Sequence, residues 1–222
     1  MLNFIGELSG VEYICAGLAL ILVLIISLPL HEFGHAFVAY KQGDQTPKVM
    51  GRVTLNPFAH IDPIGLICCM LFGFGWAKPV EINPLQFRSY KKGFFLTSIA
   101  GVLINLILAF IGCGMHYITL KILLSNGISI DTNNFALFMY YFSFFMFQIN
   151  ICLFVFNLLP IYPLDGFNAI SAYAKYENKY IQFMRKYGNW ILILVLIFGD
   201  YLLYWLCTYV GMPMQLLWGL IL

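Results

Sequence analysis

His31-Glu32-Phe33-Gly34-His35 sets two imidazoles four residues apart, with a carboxylate beside the first. On a helix four residues turn the chain by about 400°, one turn and a little more, so both rings share a face and can hold one metal ion. Glu32 is rotated by roughly 100° from His31, which suits a proton acceptor better than a third ligand. Neutral imidazole nitrogens suit zinc, and a zinc site that keeps one coordination position open is catalytic rather than structural. The chemistry expected of these residues is zinc-assisted hydrolysis with Glu32 as general base.

A third ligand has to come from another part of the chain. The apolar run that begins at Thr132 ends in Asn157-Leu158-Leu159-Pro160-Ile161-Tyr162-Pro163-Leu164-Asp165-Gly166. Pro160 and Pro163 cannot continue a helix, and each biases its predecessor toward extended geometry. Irregular backbone at membrane depth is tolerated only where it is packed in protein or lines a wet cavity. Asp165 then completes a set of two histidines and one carboxylate around a single zinc ion. The plainer alternatives are two histidines hydrogen-bonded to neighbouring helices and an Asp165-Gly166 surface turn. The first of these predicts no third ligand.

The elements that must position these groups are membrane helices. The chain has 222 residues, 61% hydrophobic and 10% charged, where a globular domain has ~25% charged residues. Charge-free runs extend from Tyr13 to His31, Gly93 to Leu120 and Thr132 to Leu164, and Tyr187 to Leu222 is broken only by Asp200. A spanning helix needs about 20 apolar residues. The expected fold is therefore an all-α polytopic membrane protein of about four to six transmembrane helices, one integral membrane domain over 1–222. Its core lies at 13–173, and one or more C-terminal segments lie at 187–222. That composition excludes a soluble zincin and a nucleic-acid-binding module.

Four crossings near 13–40, 93–115, 135–158 and 188–210, with the N-terminus outside, place eleven of the twelve Lys and Arg residues on one side and Lys121 alone opposite. The positive-inside rule makes that side cytoplasmic, and both motifs fall near it. The first run, with Glu7 and Glu12 before it and no Lys or Arg ahead of Lys41, does not read as a cleaved signal peptide. Between Asp62 and Lys78 lie 15 uncharged residues, about 22 Å of helix, so 61–77 is expected to re-enter or form a short buried helix. Gly211-Met212-Pro213 either ends the last helix or starts another. Val49 to Leu55 and Pro79 to Asn83 lean toward β and make a small hairpin near the site possible. The six cysteines show no C-x-x-C spacing and read as reduced packing residues.

HEFGH together with NLLPIYPLDG resembles the site-2 protease family of intramembrane zinc metallopeptidases. GRVTLNPFAHIDPIG (Gly51 to Gly65), GWAKPVEINP (Gly75 to Pro84) and the Gly101-x-x-x-Asn105 spacing extend the resemblance over most of 20–170. A Gly-Pro pair frequent in that family is Gly101-Val102 here. The resemblance is to compact members without a PDZ domain. It implies His31, His35 and Asp165 as ligands of one Zn2+, Glu32 as base, and Asn105 and Asn157 as substrate-binding or site-orienting residues. The plainer role for either asparagine is an interhelical hydrogen bond. His60 reads as an interfacial loop residue, and His116 lies near the opposite face. The expected partners are a membrane-protein or peptide substrate and the lipid bilayer. The expected location is a bacterial cell membrane, with the site toward the cytoplasm. The competing reading is a non-proteolytic zinc-binding membrane protein, a transporter or an inactive scaffold.

Overall fold

The computed structural model describes residues 10–72, 75–129, 133–175 and 177–221, so Glu7 lies outside the described residues. Among the described residues eight α-helices follow one another: α1 (Gly10–Gln42), α2 (Thr46–Val49), α3 (Pro63–Phe72), α4 (Tyr90–Ser125), α5 (Asn134–Leu158), α6 (Asp165–Ser171), α7 (Lys179–Phe198) and α8 (Asp200–Ile221). Helices α1, α4, α5 and α7 are long and apolar enough to cross a membrane. The protein is an all-α polytopic integral membrane protein.

The core is a three-helix layer of α1, α4 and α5. Cys15 Sγ meets the Asn134 carbonyl, and Asn150 Nδ2 donates to Ser27 Oγ at 2.8 Å, so α1 and α5 run parallel. A Cβ on Gly112 would touch the Phe147 and Met146 backbone, and His116 Nδ1 lies 3.2 Å from Ser143 Oγ, so α4 runs against α5. Close approach without side chains is the usual means of membrane helix packing, where lipid gives no hydrophobic drive. On the outer surface of α4 and α5 sits α8. Cys207 Sγ lies 3.5 Å from Cys152 Sγ, and a Cβ on Gly211 would stand 3.0 Å from Phe147. All six cysteines are free thiols.

α5 stops at Leu158, ahead of Pro160, as the two prolines require. The stretch 61–77 contains the short helix α3. Asp62 Oδ1 accepts from Ile64 and Gly65 N–H at its start, and Trp76 Nε1 donates to Asp62 Oδ2. Two expectations are revised. The fourth crossing at 188–210 is split at Gly199 into α7 and α8, and Gly211-Met212-Pro213 lies inside α8. The possible hairpin does not form: there is no strand among the described residues. The backbone groups that would pair across it are taken by other partners. Lys78 N–H donates to His60 O, the Arg52 guanidinium holds both Ala59 O and Pro79 O, Val80 N–H donates to Glu32 Oε2, and Asn83 N–H donates to Asp44 Oδ2.

Candidate active site

His31 and His35 project from one face of α1, shortly after Pro29, which cannot donate to the Ile25 carbonyl. Asp165 is the first residue of α6, delivered by the Leu159–Leu164 segment that follows α5. The three side chains converge. His31 Nε2 lies 3.1 Å from His35 Nε2, and Asp165 Oδ2 lies 3.3 Å from the first and 3.2 Å from the second. Four ligands at zinc bond lengths of about 2.0–2.1 Å stand roughly 3.3–3.4 Å apart when tetrahedral, so this triangle has the size of one face of a zinc polyhedron. His31, His35 and Asp165 form the one candidate metal group among the described residues.

The protonation pattern follows from the outer partners. His35 Nδ1 lies 2.7 Å from the Thr97 carbonyl, which can only accept, so Nδ1 carries the proton and Nε2 presents a lone pair. The Asn105 amide lies 2.9 Å from His31 Nδ1, and Asn105 Oδ1 is buried without a partner. Amide oxygen and nitrogen exchange places by a half-turn. The orientation with Oδ1 on His31 Nδ1 leaves the Nε2 lone pair for a metal. Asp165 Oδ2 likewise has no hydrogen-bond donor among the described residues, though it faces both ring nitrogens. Three lone pairs aimed at one point repel one another unless a cation sits between them.

α4 supplies the back wall. A Cβ on Gly101 would run into His35 Nε2 and lie 2.7 Å from His31 Cε1, so only glycine admits both rings. A Cβ on Gly34 would lie 2.6 Å from Ile104 Cδ1, which brings α1 against α4 at the same level. Gly166 leaves room for the Leu158 carbonyl, which a Cβ would overlap, and this lets α6 fold back under the end of α5.

Of the other sequence candidates, Asn105 is fully buried against His31, while Asn157 donates to the Leu153 carbonyl of its own helix. His60 is fully buried in the loop ahead of α3 and bonds the Thr54 carbonyl. His116 pairs with Ser143 toward the far end of α4. The Thr97 carbonyl has no signature in the sequence, because any residue type offers the same backbone oxygen. The role of Gly101 in admitting the rings was equally hidden, although its spacing from Asn105 marked the turn of helix concerned.

Comparison with known proteins adds an independent line. The model of peptidase family M50 matches residues 122–198, the part that carries Asp165. A Bacillus subtilis protein named "Putative zinc metalloprotease YwhC" is 44% identical over 156 residues, 68% of this chain and 67% of its own length. Two proteins named "Putative zinc metalloprotease Rip2" are also similar. The one from Mycolicibacterium smegmatis is 28% identical over 82% of this chain and 67% of its own length. The one from Mycobacterium tuberculosis is 29% identical over 86% and 74%. No solved structure matches significantly.

Proposed function

The chain belongs to peptidase family M50 and is a zinc metalloprotease, and from that premise we propose that it cleaves membrane-protein substrates within or near the bilayer, with the site facing the cytoplasm. His31, His35 and Asp165 hold the ion, and Glu32 is the general base. The observation that carries the assignment is the triangle of two Nε2 atoms and one carboxylate oxygen with sides of 3.1 to 3.3 Å, assembled from α1 and α6.

Zinc, when bound there, supplies Lewis acidity toward the scissile carbonyl and makes water acidic enough to lose a proton near neutral pH. The chain's own groups do the rest. Thr97 and Asn105 fix the two rings by their far nitrogens, so the lone pairs stay aimed. Glu32 follows His31 on the helix, and Val80 N–H holds its Oε2 at 3.1 Å, leaving Oε1 to accept the water proton and pass it to the leaving amine. Asn157, in the last turn of α5 ahead of the double-proline segment, is assigned to holding the substrate backbone.

A helical substrate hides its peptide bonds in hydrogen bonds, so a transmembrane target unwinds before attack. The non-helical segment 78–83, tied to Glu32 through Val80, is the surface against which an extended substrate would align. Reconstitution with a panel of single-pass membrane peptides tests the reading. The parent should cleave at least one, and Glu32→Gln should lose about 10²–10⁴-fold while keeping its zinc. Equal cleavage by both proteins would refute it, as would zinc crossing the bilayer with no cleavage by either.

A further inference from the structure

Length and apolarity admit α7 as a membrane span, but its contacts put both ends on the same side. At its start, the Tyr180 hydroxyl donates to the Pro160 carbonyl, two residues beyond the end of α5. Eight residues on, a Cβ on Gly188 would lie 2.8 Å from the Tyr162 carbonyl, in the same loop. The far end is placed by α8. Cys207 is level with Cys152, Gly211 with Phe147, and Gly219 with Tyr117, so α8 climbs antiparallel to α5 toward the outer end of α4. Asp200 is seven residues below Cys207, about 10 Å, and Leu158 is six residues below Cys152, about 9 Å. Phe198 is therefore level with the end of α5 that leads to Asp165. A crossing requires a rise of about 30 Å between the two ends. α7 has almost none, whereas α8 rises alongside α5 and α4.

The faces of α7 fit a helix lying in the interface. Ile181 and Gly188 are buried against the protein. Phe183, Tyr187, Trp190, Leu194 and Ile197 recur at helical spacing and are exposed, Trp190 by 69%. Lys179, Gln182, Arg185, Lys186 and Asn189 form a third stripe, also exposed. A strongly polar face with Lys and Arg beside an aromatic and aliphatic face is the pattern of helices that lie at the headgroup level. On the polar side Ile181, Gln182, Arg185 and Lys186 line a recess of about 330 Å³. Two cations, an amide and an apolar floor match a phosphodiester with the first carbons of its acyl chains.

We propose that α7 is a non-spanning interfacial helix and that the Gln182–Arg185–Lys186 recess binds the headgroup of an anionic phospholipid, in the leaflet nearest the metal group. The occupant is a membrane lipid rather than a soluble phosphate because the exposed apolar stripe of the same helix faces the acyl region. Through Tyr180 and Gly188 the bound lipid would bear on the loop that ends in Asp165.

Two measurements on the full chain test this. In sealed vesicles, Asp200→Cys should react with a membrane-impermeant maleimide only from the side that labels Lys175→Cys, above the parent background. Labelling from the opposite side would overturn the interfacial placement. In detergent, phosphatidylglycerol should bind more tightly than phosphatidylcholine, and Arg185→Gln with Lys186→Gln should weaken it by about 30-fold. The charge-preserving pair Arg185→Lys with Lys186→Arg should keep binding, which separates loss of charge from misfolding. Equal binding of the two lipids, an unaffected double Gln variant, or displacement by glycerol phosphate at matching concentration would each overturn the lipid assignment.

Discussion

Gly101→Ala is the sharpest test of the metal group, because it adds one methyl group and leaves every proposed ligand in place. The new Cβ would stand 2.7 Å from His31 Cε1 and 2.8 Å from His31 Nδ1, and closer still to His35 Nε2. Ordinary carbon contacts are about 3.5–4.0 Å, so the rings have to retreat by roughly 1 Å. Metal bonds tolerate about 0.2 Å. The rings cannot easily give way, since Thr97 O holds His35 Nδ1 at 2.7 Å and Asn105 holds His31 Nδ1 at 2.9 Å. Overpacking of this kind costs about 1–3 kcal/mol. If it falls on the metal-bound geometry, zinc affinity drops by about 5- to 140-fold. Alanine is otherwise favoured over glycine within a helix by ~1 kcal/mol, which offsets part of the crowding, so the metal-free protein should lose less stability than the zinc-loaded one. Competition against a chromophoric chelator in detergent reads the affinity, and a melt of the metal-free protein reads the fold. Gly17→Ala, with nothing within 4 Å of its Cβ, is the control. Zinc binding by Gly101→Ala within about twofold of the parent would refute the reasoning, and an equal loss of stability with and without metal would reduce Gly101 to a packing residue.

Asp165→Ala should fail to retain zinc on dialysis while the helical content by circular dichroism is unchanged. Asn105→Ala, which strips the partner from His31 Nδ1, should lower zinc affinity by about 10- to 100-fold in the same chelator competition. Arg52→Met removes the guanidinium that holds Ala59 O and Pro79 O, and should destabilise the 52–83 region by about 1.5–3 kcal/mol, seen as faster amide exchange at Val80 and Lys78. Asp62 is held below the ordinary carboxylate range first by the Gly65 N–H and then by Trp76 and Ile64. Its folded pKa is depressed, so its stabilisation is present above the unfolded value and fades as pH falls through the folded one. Trp76 fluorescence should therefore shift only on acidification below about pH 4, and Asp62→Asn should remove that step.

The parts of the site that were legible share one property, a side-chain chemistry that fails at any other residue type. His31 and His35 had to share a helical face, and Asp165 had to follow a segment that two prolines keep out of α5. What stayed hidden was set by the backbone. Thr97 acts through its carbonyl, and the β-leaning composition of 49–55 and 79–83 was overridden because Arg52, Asp44, Glu32 and His60 take the groups a ladder would use. The division of 179–221 was hidden for another reason. The apolar tract from Tyr187 to Leu222, broken only by Asp200, leaves the number of crossings open by hydropathy, and contacts such as Gly188 with Tyr162 and Gly211 with Phe147 place α7 and α8 separately.

The metal group is also a joint of the fold. α1 would contribute two ligands and α6 the third, while α4 supplies the outer partners of both rings, so one ion would bridge elements separated by more than a hundred residues of chain. Ionisable groups inside a membrane are costly, by roughly 2.5–3.5 kcal/mol each near the centre of a helix, and they persist where something offsets them. Here Asp165 Oδ2 finds no donor among the described residues, and each ring has its outer nitrogen satisfied, so a cation is the group that would offset the convergence. Metal binding and closure of α6 onto α1 are then one equilibrium, because a ligand that binds only the closed arrangement stabilises it by mass action. It follows that chelation should loosen the Leu159–Leu164 loop and α6 before the α1, α4 and α5 layer, which is also held by contacts through Gly112, Ser27 and Asn150 that do not involve the three metal-group side chains. Amide exchange with and without chelator reads that order, and simultaneous loss of protection in all of these elements would refute it.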